Sequence, residues 1–368
     1  MRTLGVEEEF LLVDHKTGQA LPLAAQILSR QPAAQQGADL PYRITGELQL
    51  EQIEASTVPC EALADLVQAL RAGRAAVDDA AQRLEARAAA LATSPLPVSP
   101  HMYASPRYAQ VLLLHGIAVR EQLIGGMHVH VEVATAQEGV AVLDRIRVWL
   151  PLLLALSANS PFWQGQDTGY WSFRSRVWNR WPTSGPAPLF GSADAYHRHV
   201  QQLLATGAIL DPDMVYLDAR LSSHYPTVEI RAMDVCLEVH TAELLAGLVR
   251  ALVEASVRDW RAGLAPPALS TSMLRVAMWR AARFGTGAEL LDPVTCLPVP
   301  AKLLGQAALQ HIAGVLGTSR DKAQLRRLME LRFQQGSGAE RQRRSLAHGG
   351  HLPEVVRDAV LATHAIPG

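Results

Sequence analysis

The segment Leu4-Gly5-Val6-Glu7-Glu8-Glu9-Phe10-Leu11-Leu12-Val13 sets three consecutive glutamates inside an apolar run. Its alternation reads as a β-strand, closed by the turn-like residues 14–18 (DHKTG). Successive strand side chains point to opposite faces, so Glu7 and Glu9 share one face and Glu8 shares the other with Val6, Phe10 and Leu12. Like charges two apart on a half-buried face repel and cost stability. A bound divalent cation removes that cost; a solvated strand face is the plainer alternative.

Three further segments have the same character. Residues 44–57 (ITGELQLEQIEAST) read as extended chain ending before Pro59 and carry Glu47, Glu51 and Glu54. Glu47 and Glu54 lie an odd number apart, so either a bulge or turn intervenes or only one of them faces a site. In residues 126–133 (GMHVHVEV), His128, His130 and Glu132 line one strand face, with Met127, Val129, Val131 and Val133 on the other. An H-x-H pair suits a metal, and it is also a common polar face. Residues 225–234 (YPTVEIRAMD) project Glu229 and Arg231 from one face, which alone reads as a structural ion pair. Repetition changes the reading, because four extended segments each put carboxylate, imidazole or guanidinium groups on one face. Carboxylate-rich oxygen sites suit Mg²⁺, and arginines near such metals stabilise phosphoryl-transfer charge. The expectation is an α+β fold: an antiparallel sheet with helices packed around it, its open face binding metal and nucleotide phosphate.

Outward from these segments, residues 23–35 have weak helical character, and the clearest helical periodicity spans 61–92. Helix is also expected over 138–157 and 193–205, strand over 127–133, 214–219 and 227–233, and helix from Thr241 onward. Breaks in that last region fall at Pro266-Pro267, 293–300 and 336–338. Residues 159–192 hold Trp163, Trp171, Trp178 and Trp181 among Arg174, Arg176 and Arg180. So long and aromatic a loop is functional or an ordered binding loop; it reads equally as a substrate lid or as a subunit contact in a homodimer.

The 368 residues carry 34 Lys+Arg and 35 Asp+Glu, a net charge of -1, which argues against nucleic acid as a partner. No signal peptide is visible, and the apolar run 148–156 contains Pro151 and is about half the length a bilayer needs. A soluble protein with no membrane association is expected. Cys60, Cys236 and Cys296 lack metal-type spacing, which fits a reducing cytoplasm. Phosphate-loop, GxGxxG, HExxH, GxSxG and kinase motifs are absent.

Taken together, GVEEEFLLVD (5–14), residues 44–57, GMHVHVEV (126–133), LLALSANSPFWQGQDTGYWSFRSRVWNRWP (153–182), YPTVEIRAMDVC (225–236), WRAARFGTGAELLDP (279–293) and GSGAERQR (336–343) resemble the carboxylate–amine ligase family, the type 2 glutamate–cysteine ligase-like proteins. The resemblance covers nearly the whole chain and implies one carboxylate–amine ligase domain over 1–368 with a glutamine-synthetase-like catalytic sheet. It implies ATP and Mg²⁺ as cofactors, an acyl phosphate intermediate, and small-molecule substrates: an amino acid such as L-glutamate, and an amine such as cysteine. By the same resemblance Glu7, Glu9, Glu47, Glu54, His128 and Glu229 are the metal ligands. Glu229 and Arg231 are then catalytic, with Arg231 on the γ-phosphate. Arg174, and with it Arg176 and Arg180, would hold a substrate carboxylate. Arg341 or Arg343 would reach the nucleotide, unless they lie on solvated helix faces. His130 is left to a supporting or structural role. A non-catalytic nucleotide or amino-acid binder and a metal-dependent hydrolase are the alternatives.

Overall fold

A computed structural model describes residues 2–30, 40–316 and 319–365. Strands β1 (Leu4–Asp14), β2 (Tyr42–Gly46), β3 (Gln52–Thr57), β4 (Ala86–Ala89), β5 (Gly126–Glu132), β6 (Ala219–Leu221) and β7 (Thr227–Asp234) form one antiparallel sheet. Their spatial order is β2-β3-β1-β5-β7-β6, and β4 pairs with the far end of β1. The back face is apolar: Leu4, Val6, Met127, Val129, Val131, Val228 and Ile230 are buried there in the main core. Helices Leu63–Gln82, Ala136–Ile146 and Val239–Arg261 cover it. This leaves the opposite face for polar side chains, as the period-two reading requires.

Four expectations change in detail. The helix expected over 61–92 stops at Gln82, and the chain turns through Glu85 (φ +57°) into β4. Alanine's helix propensity loses here to tertiary pairing. Asp78 binds Arg87 at 2.8 Å and accepts the Ala88 N–H at 3.0 Å, while Ala86, Ala88 and Ala90 are buried in an alanine-rich core cluster. The helix expected over 138–157 is two helices, Ala136–Ile146 and Leu150–Ser157, because Pro151 suits a first turn and not a helix interior. The strand expected over 214–219 is mostly loop after a 3₁₀ turn (Pro212–Met214), with strand only at Ala219–Leu221. Arg220 donates to the Asp213 and Val215 carbonyls and holds that loop closed. The weak helix expected over 23–35 is seen as Ala24–Ser29, and residues 31–39 lie outside the described residues.

The C-terminal region is helical as expected, with one added hairpin between Glu289–Leu291 and Pro298–Pro300. Within GSGAERQR, Ser337 and Glu340 form a reciprocal capping box for helix Gly338–Gly349. Gln342 then donates to the Asn159 carbonyl and side chain, at 2.9 and 2.7 Å, and fastens this helix to the start of the tryptophan-rich loop.

Candidate active site

The sheet register assembles the open face. Across β1 and β5 Glu7 stands opposite His128, across β1 and β3 Glu9 opposite Glu54, and across β5 and β7 His130 opposite Glu229. A bulge between β5 and β7 sets the two residues Arg231 and Ala232 against His128. As a result Glu229, Arg231 and, one step on, Asp234 all work on this side. All six residues expected as metal ligands come together. Three donor sets have ligand atoms within 4.8 Å of one another: Glu7, Glu54 and His128; Glu7, His130 and Glu229; Glu9, Glu47 and Glu54. His130, expected in a supporting role, is thus a full member of the donor face. Its signal was the two-residue spacing from His128.

The electrostatics describe a face with too much negative charge on one side. Half-buried Glu47 is pushed up to about 8 by burial and by the charges of Glu9 and Glu7. Glu54 is raised well above the usual carboxylate range by burial and by Glu7, Glu47 and Glu9, although Thr45 donates to it at 3.0 Å. Burial also opposes ionisation of Glu7, but His128 (3.1 Å) and His130 (3.3 Å) outweigh it and hold Glu7 far below that range. Burial of Glu229 is likewise outweighed by its close pairs with Arg231 and Arg220, the latter at 2.7 Å. The buried Nε2 atoms of both histidines make no well-formed hydrogen bond and face carboxylates, His130 Nε2 at 3.3 Å from Glu7 and His128 Nε2 at 3.7 Å from Glu9. Imidazole nitrogens and carboxylates crowded together, with Glu47 and Glu54 repelled by their neighbours, fit divalent cations of the Mg²⁺ or Mn²⁺ kind.

The loop 159–192 is bolted onto the sheet by Asp234. Its carboxylate accepts from Asn159 N (2.9 Å), Ser160 Oγ (2.7 Å) and Ser172 Oγ (2.8 Å). Ser160 Oγ then accepts the Arg174 N–H at 3.0 Å, placing the short helix Arg174–Trp178 over β7. Arg174 is 2 % exposed, and its guanidinium reaches the Arg231 carbonyl only at 3.4–3.5 Å. A Cβ at position 126 would collide with that guanidinium, so Gly126 is what lets it lie against the sheet. Arg174 and Arg231 both stand over the Trp178 ring, at 5.8 and 5.4 Å.

Two cavities flank the donor face. One of about 510 Å³ touches Glu7 and His130 and is walled by Arg43, Val58, Tyr225 and Pro226. The other, about 400 Å³, is lined by Arg174, Arg176, Trp178, Asp218 and Arg275.

Three of the expected site arginines make their contacts elsewhere. Arg180 pairs with Glu121 at 2.6 Å over Trp163. Arg341 is taken by Asp358 (2.8 Å) and Glu238 (3.4 Å). Arg343 binds Asp167 at 2.6 Å and stacks on Trp171 at 4.3 Å. The structure does not bring these three to the donor face, because neighbouring carboxylates claim them first. Arg220, not singled out in the sequence, does belong to it. A three-residue strand carries no periodicity by which it could have been found.

The fold, one antiparallel sheet with helices packed around it, is shared with solved ligase structures. The same fold is seen in a bifunctional glutathione synthetase from Pasteurella multocida (TM-score 0.70, 14 % identity, covering 99 % of this chain and 52 % of that one). It is seen again in a glutamate–cysteine ligase from Francisella tularensis in complex with AMP (TM-score 0.68, 11 % identity, 99 % and 89 % covered). At such identities the likeness is one of fold. Sequence goes further: the chain belongs to the glutamate-cysteine ligase family 2 (GCS2), whose profile matches residues 3–360, and is an enzyme of the carboxylate–amine ligase class. A Streptomyces coelicolor protein named "Putative glutamate–cysteine ligase 2" is 47 % identical over 365 residues, covering 99 % of this chain and 100 % of its own. A Streptomyces avermitilis relative named "Putative glutamate–cysteine ligase 2-1" is 48 % identical over 364 residues, covering 99 % of each.

Proposed function

We propose that the protein is an ATP- and Mg²⁺-dependent ligase, residues 1–368 acting as one domain, that joins the carboxylate of an amino acid such as L-glutamate to an amine such as cysteine. The observation that carries this reading is the donor face itself: three donor sets of carboxylates and imidazoles, with Arg231 and Arg174 near them and two separate cavities close by. A hydrolase needs no second organic site. The cavity of about 510 Å³ takes the nucleotide, its base against Val58, Tyr225 and Pro226 and its phosphates toward Glu7 and His130. The cavity beside Arg174 takes the amino acid.

In the first step a substrate carboxylate oxygen attacks the γ-phosphorus, the bond to the bridging oxygen breaks and ADP departs. In the second the amine nitrogen adds to the acyl carbon, loses a proton and expels phosphate, leaving an amide. Arg231 is held in place by Glu229 and Trp178 and opposes the charge of the transferred phosphoryl group. Arg174, rigid and desolvated, opposes the substrate carboxylate. Bound at Glu7, Glu9, Glu47, Glu54, His128 and Glu229, Mg²⁺ would supply the charge that draws the nucleotide phosphates onto this face. No described helix is long and apolar enough to cross a membrane, and the three cysteines are unpaired, which supports a cytoplasmic site of action.

The experiment is ADP release with ATP, Mg²⁺, L-glutamate and a panel of amines including cysteine. ADP formation that requires both glutamate and an amine is expected. Nucleotide binding without turnover on any pair would leave a binding protein of the same fold.

A further inference from the structure

Among the described residues, Asp218 is the one anionic wall of the cavity that holds Arg174, Arg176 and Arg275. Its backbone is clamped on both sides: Asp218 N donates to the Gly185 carbonyl at 2.9 Å, and Arg231 N donates to the Asp218 carbonyl at 2.9 Å. That second bond sets Asp218 across from Arg231, on the working face of the sheet. The residue is 5 % exposed, yet no described residue donates a hydrogen bond or forms an ion pair with its carboxylate. Burial pushes this carboxyl up to about 7, against the pull of the Arg174 and Arg275 charges.

A buried carboxylate without a partner is costly, and protein sites keep such a group where a ligand completes it. Arg174 and Arg275 act on it only at long range, and Arg275 stands exposed at the rim on helix Thr271–Phe284. The ligand that satisfies this wall carries both signs. A phosphate or a simple dicarboxylate would pair the arginines and leave Asp218 facing an anion. An α-amino acid offers carboxylate to the guanidinium groups and ammonium to Asp218.

We propose that Asp218 is the specificity-determining residue that receives the ammonium group of the amino-acid substrate in the cavity beside Arg174. This rests on the ligase reading for the identity of the occupant, and selection by charge follows from the cavity. A charge-assisted hydrogen bond of this kind corresponds to about tenfold or more in affinity.

The test is calorimetric titration of the protein, without nucleotide, with L-glutamate and with glutarate, which lacks only the ammonium. The wild-type protein is expected to bind L-glutamate at least about tenfold more tightly. Asp218→Asn is expected to erase that preference by weakening glutamate, with glutarate bound as well as before or more tightly. Asp218→Glu, which keeps the charge one methylene further out, is expected to retain part of it. Equal wild-type affinities, no glutamate binding, or an unchanged preference in Asp218→Asn would each overturn the assignment; the first two need no variant to fold. Failure of the ligase reading shows separately, as absence of ADP release on every amino acid–amine pair with this binding preference intact.

Discussion

Glu7, Glu8 and Glu9 are neighbours on one strand and meet opposite fates. Glu8 points to the back face, 1 % exposed, where both its oxygens are bound by Arg74 at 2.6 and 2.9 Å. Arg74 spends its remaining donors on the Leu237, Cys236 and Thr363 carbonyls, so every charge there is matched. Glu7 and Glu9 point to the front, among Glu47, Glu54 and Glu229, where the imidazoles of His128 and His130 lie against them. The back-face glutamate is fully paired within the core, and the front-face pair lies among the groups proposed to bind cations. Residue type is the same in both places; Glu8 has a guanidinium to itself, whereas Glu7 and Glu9 share two imidazoles with Glu47 and Glu54, which burial and neighbouring carboxylates hold above the usual range.

That contrast can be broken from either side. Glu8→Gln leaves Arg74 buried and unmatched and should cost about 3–5 kcal/mol of stability, read by urea unfolding, while turnover per folded molecule stays near wild type. Glu54→Gln is the mirror image. It relieves repulsion, so the melting temperature without metal should hold or rise, while turnover falls by about 10²–10³ because the cations and the phosphates they hold lose a ligand. Loss of stability in Glu54→Gln, with activity kept, would reverse the roles assigned to the two faces.

Acidity gives a smaller effect. Glu47 has its ordinary value of 4.5 when unfolded and about 8 in the fold, so between those values the folded protein holds the extra proton. Stability from this group is therefore full below about 4.5 and is lost as pH rises toward 8. Metal-free protein should melt a few degrees lower at pH 8.5 than at pH 6.5, on the order of 1–2 kcal/mol, and Mg²⁺ should remove the share due to Glu47 while leaving a smaller share due to Asp218, which is raised to about 7. A Mg²⁺-sensitive drop that persists in Glu47→Gln would detach Glu47 from the proposed cation site. Smallest of all is Arg180→Ala, which breaks an exposed pair with Glu121 and should change stability by about 1 kcal/mol or less and leave KM for the amino acid unchanged.

The front face was legible in the sequence because strand period two sorts side chains without any knowledge of the fold. Glu7, Glu9, His128, Glu229 and Arg231 all follow from it. Glu47 and Glu54 needed the turn between β2 and β3, which brings both toward Glu9. The alanine-rich strand β4 was misread as helix because local propensity and tertiary pairing disagree there. Arg341 and Arg343 looked available because charge composition cannot show that Asp358 and Asp167 lie within reach. Arg220 and Asp218 were missed for a similar reason: their segment is too short and irregular to have a period, and their place comes only from pairing with β7.

Whether the front face transfers a phosphoryl group can be followed by isotope. L-Glutamate carrying ¹⁸O in its side-chain carboxylate, turned over with ATP, Mg²⁺ and an accepted amine, should pass one labelled oxygen into inorganic phosphate in each cycle, because the acyl phosphate breaks between carbon and that oxygen. Phosphate released without label would mean that water, and not the carboxylate, attacks ATP, and would contradict the ligase mechanism built on these residues.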